Sequence, residues 1–388
     1  MSFMRPRRST TGSGRTIRIS NLLADFQEHS DGIHDAISRV LASGTYILGE
    51  NVEAFEREFS SYCGTRYGIG VASGTDALTL SLMALGVGNG DEVITVANTA
   101  SPTAMAILNA GATPRLVDPS PDTFVMDISN IENGMTSRTR AVIPVHLYGN
   151  PCNMRKIMGF AKENGIFVVE DCCQAHGACF DDERVGSFGD TGCFSFYPTK
   201  NLGGYGDGGM IVTHSKDLAY KIRALRFYGM EDRHSSQTRG LCSRLDELHA
   251  AILRVKLKDL DAKNERRREN AAYYKERLRE CARLRFQEEY AKGMNVYHQL
   301  VVGVSQREIL RRRLLEKGIE TAVHYPVALC DQPAYRRYSY NKPFAVSRYL
   351  AKSVLSLPVH PYLDPDSLQL VCDVIQRCVK GGRQRKKV

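Results

Sequence analysis

The chain has 388 residues, 43% of them hydrophobic, and a formal net charge of +9. That length and apolar content allow a large buried core in two or three domains, and no stretch approaches the roughly 18 apolar residues of a membrane span or the pattern of a signal peptide. The first twenty residues hold five arginines and the last nine hold five basic residues, neither with an acid, so the body is near neutral and a basic nucleic-acid face on the folded part is excluded.

Residues 1–18 and 381–388 read as disordered basic tails. Over 31–43, Ile33, Ile37, Val40 and Leu41 recur at helical spacing until Gly44 stops them. Residues 67–70 read as a strand, and Ser73-Gly74-Thr75 then opens a helix over 75–85. Free amides at a helix start, beside small hydroxyl residues, suit a phosphate; a plain N-cap is the competing reading. Strand-like runs follow at 91–96, 114–118, 141–147, 167–171, 192–197 and 210–213, with helical patterns between many of them, one over 153–165. Such alternation predicts an α/β fold with a mostly parallel sheet covered by helices on both faces.

Asp171 ends one of these buried runs, at the edge where ligands of open α/β sheets bind. Lys200 closes the aromatic run Phe194-Ser195-Phe196-Tyr197-Pro198-Thr199 and precedes five glycines between Gly203 and Gly209. A lysine among apolar groups loses hydration, its ammonium form is penalised, and the neutral amine that attacks carbonyls becomes accessible. The glycines let the main chain turn and approach a bound group closely. Gly204 to Gly209 also match a dinucleotide fingerprint, but a strand-like run follows instead of a helix, so that reading is rejected. A lysine for an aldehyde, an acid for a ring nitrogen and a phosphate cradle are together the parts of a pyridoxal phosphate (PLP) site. Eleven cysteines show no C-x-x-C and no histidine pair at zinc spacing, which predicts no metal site and a reducing, cytoplasmic setting. Residues 244–278 carry one long charged helical pattern, read as an interdomain helix with a solvated face. The predicted division is a large domain over 19–260 and a smaller α+β domain over 261–380.

Four segments resemble the DegT-type nucleotide-sugar aminotransferases, fold type I PLP enzymes: Ser73 to Leu78, Glu170 to Ala178, Phe194 to Leu202 and Ser243 to Leu248. Gly49 to Glu56 and His324-Tyr325-Pro326 extend the likeness over nearly the whole chain. The resemblance implies that Lys200 carries PLP as a Schiff base and moves the proton. It implies that Asp171 pairs with the pyridinium, that Gly74, Thr75 and Ser195 hold the phosphate, and that Gln174 lies by the ring hydroxyl. His324 and Tyr325 would line the substrate cleft. Glutamate would be the donor and a nucleotide-linked keto-deoxysugar the acceptor, in a homodimer with no nucleic-acid or membrane partner. In this family a histidine at position 174 accompanies amination at C4 and a glutamine accompanies C3 ketosugars or keto-inositols, so the resemblance implies a 3-keto-6-deoxysugar, with a C4 ketosugar, a keto-inositol or a PLP-binding regulator without turnover as the alternatives. Two positions depart from the pattern: Ala100 stands where relatives place a ring that stacks on the cofactor, and Cys242 where many place an asparagine reaching the partner's phosphate.

Overall fold

The computed structural model describes residues 16–230, 234–340 and 343–380. Seven strands form the central sheet: β1 (Tyr67–Val71), β2 (Glu92–Val96), β3 (Thr113–Val117), β4 (Thr139–Val142), β5 (Phe167–Asp171), β6 (Thr191–Ser195) and β7 (Gly209–Thr213). Their order is β1-β7-β6-β5-β4-β2-β3, and β7 alone runs against its neighbours. The apolar runs that read as strands are buried on both faces, as a covered parallel sheet demands. One expected strand is shorter: over 141–147 the regular strand stops at Val142, and Val145 then pairs with Asp171 as an isolated parallel bridge in which the His146 N–H reaches the Asp171 carbonyl at 3.1 Å.

Helices α1 (Leu22–Ser43), α2 (Glu50–Tyr62), α3 (Gly74–Ala84), α4 (Ser101–Asn109) and α5 (Met154–Asn164) come in chain order. They are followed by α6 (Glu247–Leu257), α7 (Leu260–Leu278) and α8 (Pro365–Lys380). α3 is apolar nearly all round because it packs inside, against β6 and β7. α1 starts nine residues before the predicted 31. Its first turns bury His29, half-bury Asp25 and carry no apolar stripe, so hydrophobic spacing shows only from Ile33. The charged pattern over 244–278 splits into α6 and α7 at Lys258 and Asp259, where Asp259 leaves helical geometry and its carboxylate pairs with His29 at 3.0 Å. Its expected solvated face is also partly internal: Lys256 and Lys263 are buried against Asp25 at 2.6 and 2.7 Å.

A second, antiparallel sheet of β8 (Leu284–Phe286), β9 (Leu300–Val304) and β10 (Val354–Leu357) packs with α7 and α8 around Val302, Leu355, Val371 and Ile375. Ile17 joins this cluster, 5% exposed, with backbone hydrogen bonds to Gly318 and Glu320. The basic tail read over 1–18 therefore gives up residues 16–18 to the fold, since the apolar side chain between Arg15 and Arg18 found a core; residues 1–15 and 381–388 lie outside the described residues.

Glu247 ties the first α6 turn to the start of α2. Its carboxylate, 2% exposed, accepts from the amides of Gly49, Asn51 and Val52 at 2.8 to 2.9 Å and from the Asn51 side chain at 3.0 Å. α2 has no side-chain cap of its own, so this distant acid serves as one. Glu247→Ala would strand those donors and is expected to lower stability by about 3 kcal/mol, read as a fall in the urea midpoint with an unchanged slope.

Candidate active site

Three segments end at the carboxyl edge of the sheet and meet there. β1 leads into α3, whose cap Ser73 accepts the Asp76 amide at 3.1 Å and leaves the Gly74 and Thr75 amides without acceptors in the helix. A Cβ on Gly74 would lie 2.7 Å from the Ser195 Cβ and 2.8 Å from the Cys173 Sγ, so only glycine lets β6 and the end of β5 close on this turn. None of Gly203 to Gly209 takes a left-handed φ, and a Cβ on Gly203 or Gly209 would collide with the carbonyls of Pro198 and Ser73. Gly203 and Gly209 thus permit close approach of one backbone to another, and Gly206 makes room for the His249 ring.

β5 delivers Asp171, 5% exposed, into a cavity of about 250 Å³. Its Oδ2 accepts from the Thr103 hydroxyl at 2.9 Å, and its Oδ1 from the Cys173 amide at 3.2 Å. β6 continues through Ser195 to Lys200, and both line the same cavity, as do Gly74, Thr75, Gln174 and Tyr325. Enclosure by protein lowers the Lys200 pKa below that of an ordinary lysine, against the opposing charges of Cys173 and Asp171. Because the shift is downward, the neutral amine is present at lower pH than in a free lysine. Capture of PLP by cofactor-free protein is therefore expected to speed up with rising pH and level off below 10.5; stopped-flow absorbance checks this, and a climb continuing to 10.5 would contradict it.

Gln174 is locked in place: its Oε1 accepts the Tyr148 amide at 2.7 Å and its Nε2 donates to the Tyr325 hydroxyl at 2.9 Å. The pair expected at the cleft is divided. Tyr325 lines the cavity, whereas the His324 ring turns to the Ser356 hydroxyl at 2.8 Å and its carbonyl accepts from Tyr148. Burial and the Lys200 charge bring His324 down to about 4, so it stands there neutral. Ala100 is in the cavity wall with no ring, beside Thr99 and Pro102. Cys242 is exposed and its sulfur accepts from the Tyr228 hydroxyl at 3.0 Å and from Arg244 at 3.2 Å.

Sequence reasoning missed Thr103, Tyr148 and Cys173. Thr99 and Thr103, one helical turn apart with hydroxyls 3.1 Å from each other, carried a spacing signal that could have found the first. It also quoted Glu170 without a role. Glu170 and His146 are fully buried 3.2 Å apart, and Glu170 accepts from the amides of Gly186, Phe188 and Gly189 at 2.8 to 2.9 Å. Burial opposes charge on His146, yet its bonds to Cys152 and Glu170 prevail and raise it to about 9. With Cys172 these atoms lie within 4.8 Å of one another, a metal-like grouping, but the carboxylate oxygens are already engaged by four donors. It is a knot that anchors β5.

Compared with known proteins, the DegT/DnrJ/EryC1/StrS aminotransferase family matches residues 27–376. The chain belongs to this aminotransferase family. It is 45% identical over 345 residues to a dTDP-3-amino-3,6-dideoxy-alpha-D-galactopyranose transaminase of Aneurinibacillus thermoaerophilus, covering 89% of this chain and 94% of the relative. It is 41% identical over 365 residues to a UDP-N-acetyl-3-dehydro-alpha-D-glucosamine 3-aminotransferase of Acidithiobacillus ferrooxidans, covering 94% and 98%. The fold matches S. venezuelae DesV, solved in complex with a ketimine intermediate, at a TM-score of 0.92 and 39% identity, over 96% of this chain and 100% of that one. The fold is that of the PLP aminotransferases, and the family's enzymes depend on PLP. The aminotransferase's cavity fits that group: an amine, a buried carboxylate and a hydroxyl-lined helix start face one space.

Proposed function

We propose that this aminotransferase moves an amino group from glutamate to C3 of a keto-deoxysugar carried on a nucleoside diphosphate. The observation that carries the reading is Gln174, held between Tyr148 and Tyr325 at the cavity wall, a neutral amide at the position where the family resemblance ties glutamine to C3 ketosugars or keto-inositols and histidine to C4. The C3 amination in the names of two relatives supports it.

PLP bound here supplies an electron sink that stabilises negative charge on the carbon bearing the amino group. Asp171, oriented by Thr103 and the Cys173 amide, places a fixed anion deep in the site to keep the ring nitrogen protonated. The Gly74 and Thr75 amides, with Ser195, receive the phosphate at the positive end of α3. The Lys200 Nζ would take the proton from the substrate carbon and return it across the nitrogen to the carbon that the cofactor supplies, a task its lowered pKa suits. Gln174 and Tyr325 orient the sugar side. We further hold that the enzyme works as a homodimer in the cytoplasm, with Cys242 near the partner's phosphate, and that the chain divides near 260 into PLP-binding and smaller domains; the separate second sheet and its own apolar cluster support that division. No helix among the described residues is long and apolar enough to cross a membrane.

The deciding experiment supplies purified enzyme with glutamate and, in parallel, 3-keto-6-deoxy and 4-keto-6-deoxy sugars on dTDP. NMR of the product is expected to place nitrogen on C3. An amine on C4 alone would overturn the regiochemical reading.

A further inference from the structure

Two buried hydroxyls stand in line behind Asp171. Its carboxylate, 5% exposed, takes the Cys173 amide on Oδ1 at 3.2 Å and the Thr103 hydroxyl on Oδ2 at 2.9 Å. Among the described residues Thr103 is the one side chain that donates to this carboxylate. A carboxylate only accepts, so the single Thr103 hydroxyl proton is committed to Asp171. The Thr99 hydroxyl lies 3.1 Å from the Thr103 oxygen. That oxygen has no second proton to offer, so Thr99 is the donor between them. The series runs one way, from Thr99 through Thr103 to Asp171. Thr99 and Thr103 are 2% and 1% exposed, which keeps water from competing for either link. Thr103 also sits in the first turn of α4, whose positive end favours a nearby anion.

A donor in such a series is polarised by the one behind it, and in a dry site each bond to an anion counts for more than it would in water. Both effects favour the ionised carboxylate over the protonated one. The consequence reaches whatever nitrogen the carboxylate meets. An acid and a ring nitrogen in contact share one proton, and the more firmly the acid is held as an anion, the more of that proton stays on the ring. A cationic ring draws electrons more strongly. We propose that Thr103, backed by Thr99, is a positioning residue that keeps the shared proton on the cofactor's ring and off Asp171. The inference rests on the reading above in which Asp171 meets the ring nitrogen of PLP.

The test is an absorbance titration of the Schiff base between PLP and Lys200. A cationic ring repels a proton on that imine, so a ring that loses charge lets the imine keep its proton to higher pH. Thr103→Val is expected to move the midpoint up by about one unit, and Thr103→Ser, which retains the hydroxyl, to bring it back to within about 0.3 unit of wild type. Thr99→Val should raise the midpoint by about half as much on its own and by nothing in a Thr103→Val background, where the link ahead of it is missing. kcat/KM in the glutamate half-reaction should follow, falling about thirtyfold in Thr103→Val. An unmoved midpoint in Thr103→Val, or one that Thr103→Ser fails to restore, overturns the inference. A Thr99→Val shift that persists in the Thr103→Val background overturns the serial arrangement. A wild type that shows no Schiff-base absorbance at all would instead end the PLP reading beneath it.

Discussion

Lys200→Ala protein is expected to lose amino transfer by about four orders of magnitude or more, because one side chain both attaches the cofactor and moves the proton. Borohydride reduction followed by peptide mass spectrometry should find the reduced cofactor on Lys200 in wild type and nowhere in the variant. Added small amines should restore part of the rate, since the cavity around an alanine keeps Asp171 and the α3 start unchanged. A variant that still binds PLP covalently and turns over would remove the basis of the proposed mechanism.

Asp171→Asn tests the opposite end of the cofactor. Asparagine preserves shape and still accepts from Thr103 or the Cys173 amide, so the fold should hold. It removes the negative charge that keeps a ring nitrogen protonated. kcat/KM in the glutamate half-reaction is expected to drop by about a thousandfold, on the order of 4 kcal/mol. The thermal midpoint should move little by comparison. A variant with near-normal rates would show that the carboxylate serves structure alone.

Much of the sheet was legible because its strands are short, rich in β-branched apolar residues and mostly buried, as in β2 and β5. The site's frame was legible for a related reason: Ser73-Gly74-Thr75, Asp171 and Lys200 each sit where regular structure ends, and ends carry visible punctuation. What stayed hidden is long-range pairing of charge. Nothing local reveals that Asp25 faces Lys256 and Lys263 across more than two hundred residues, and that pairing carried the start of α1 back to Leu22. The break at Lys258 and Asp259 is likewise dictated by His29. His324 misled because a motif read as one unit is divided by its backbone: Tyr325 faces the cavity, and its neighbour faces Ser356.

Glu170 and Asp171 are adjacent on one strand, and successive strand residues project to opposite sides. One carboxylate therefore looks inward to a loop and the other outward to the reaction. Shifting that ribbon by a single residue would exchange their assignments, leaving the loop unmoored and the chemistry without its anion in one stroke. Laboratory evolution of this enzyme should thus find insertions and deletions acceptable in its surface connections and forbidden between Ile166 and Cys172.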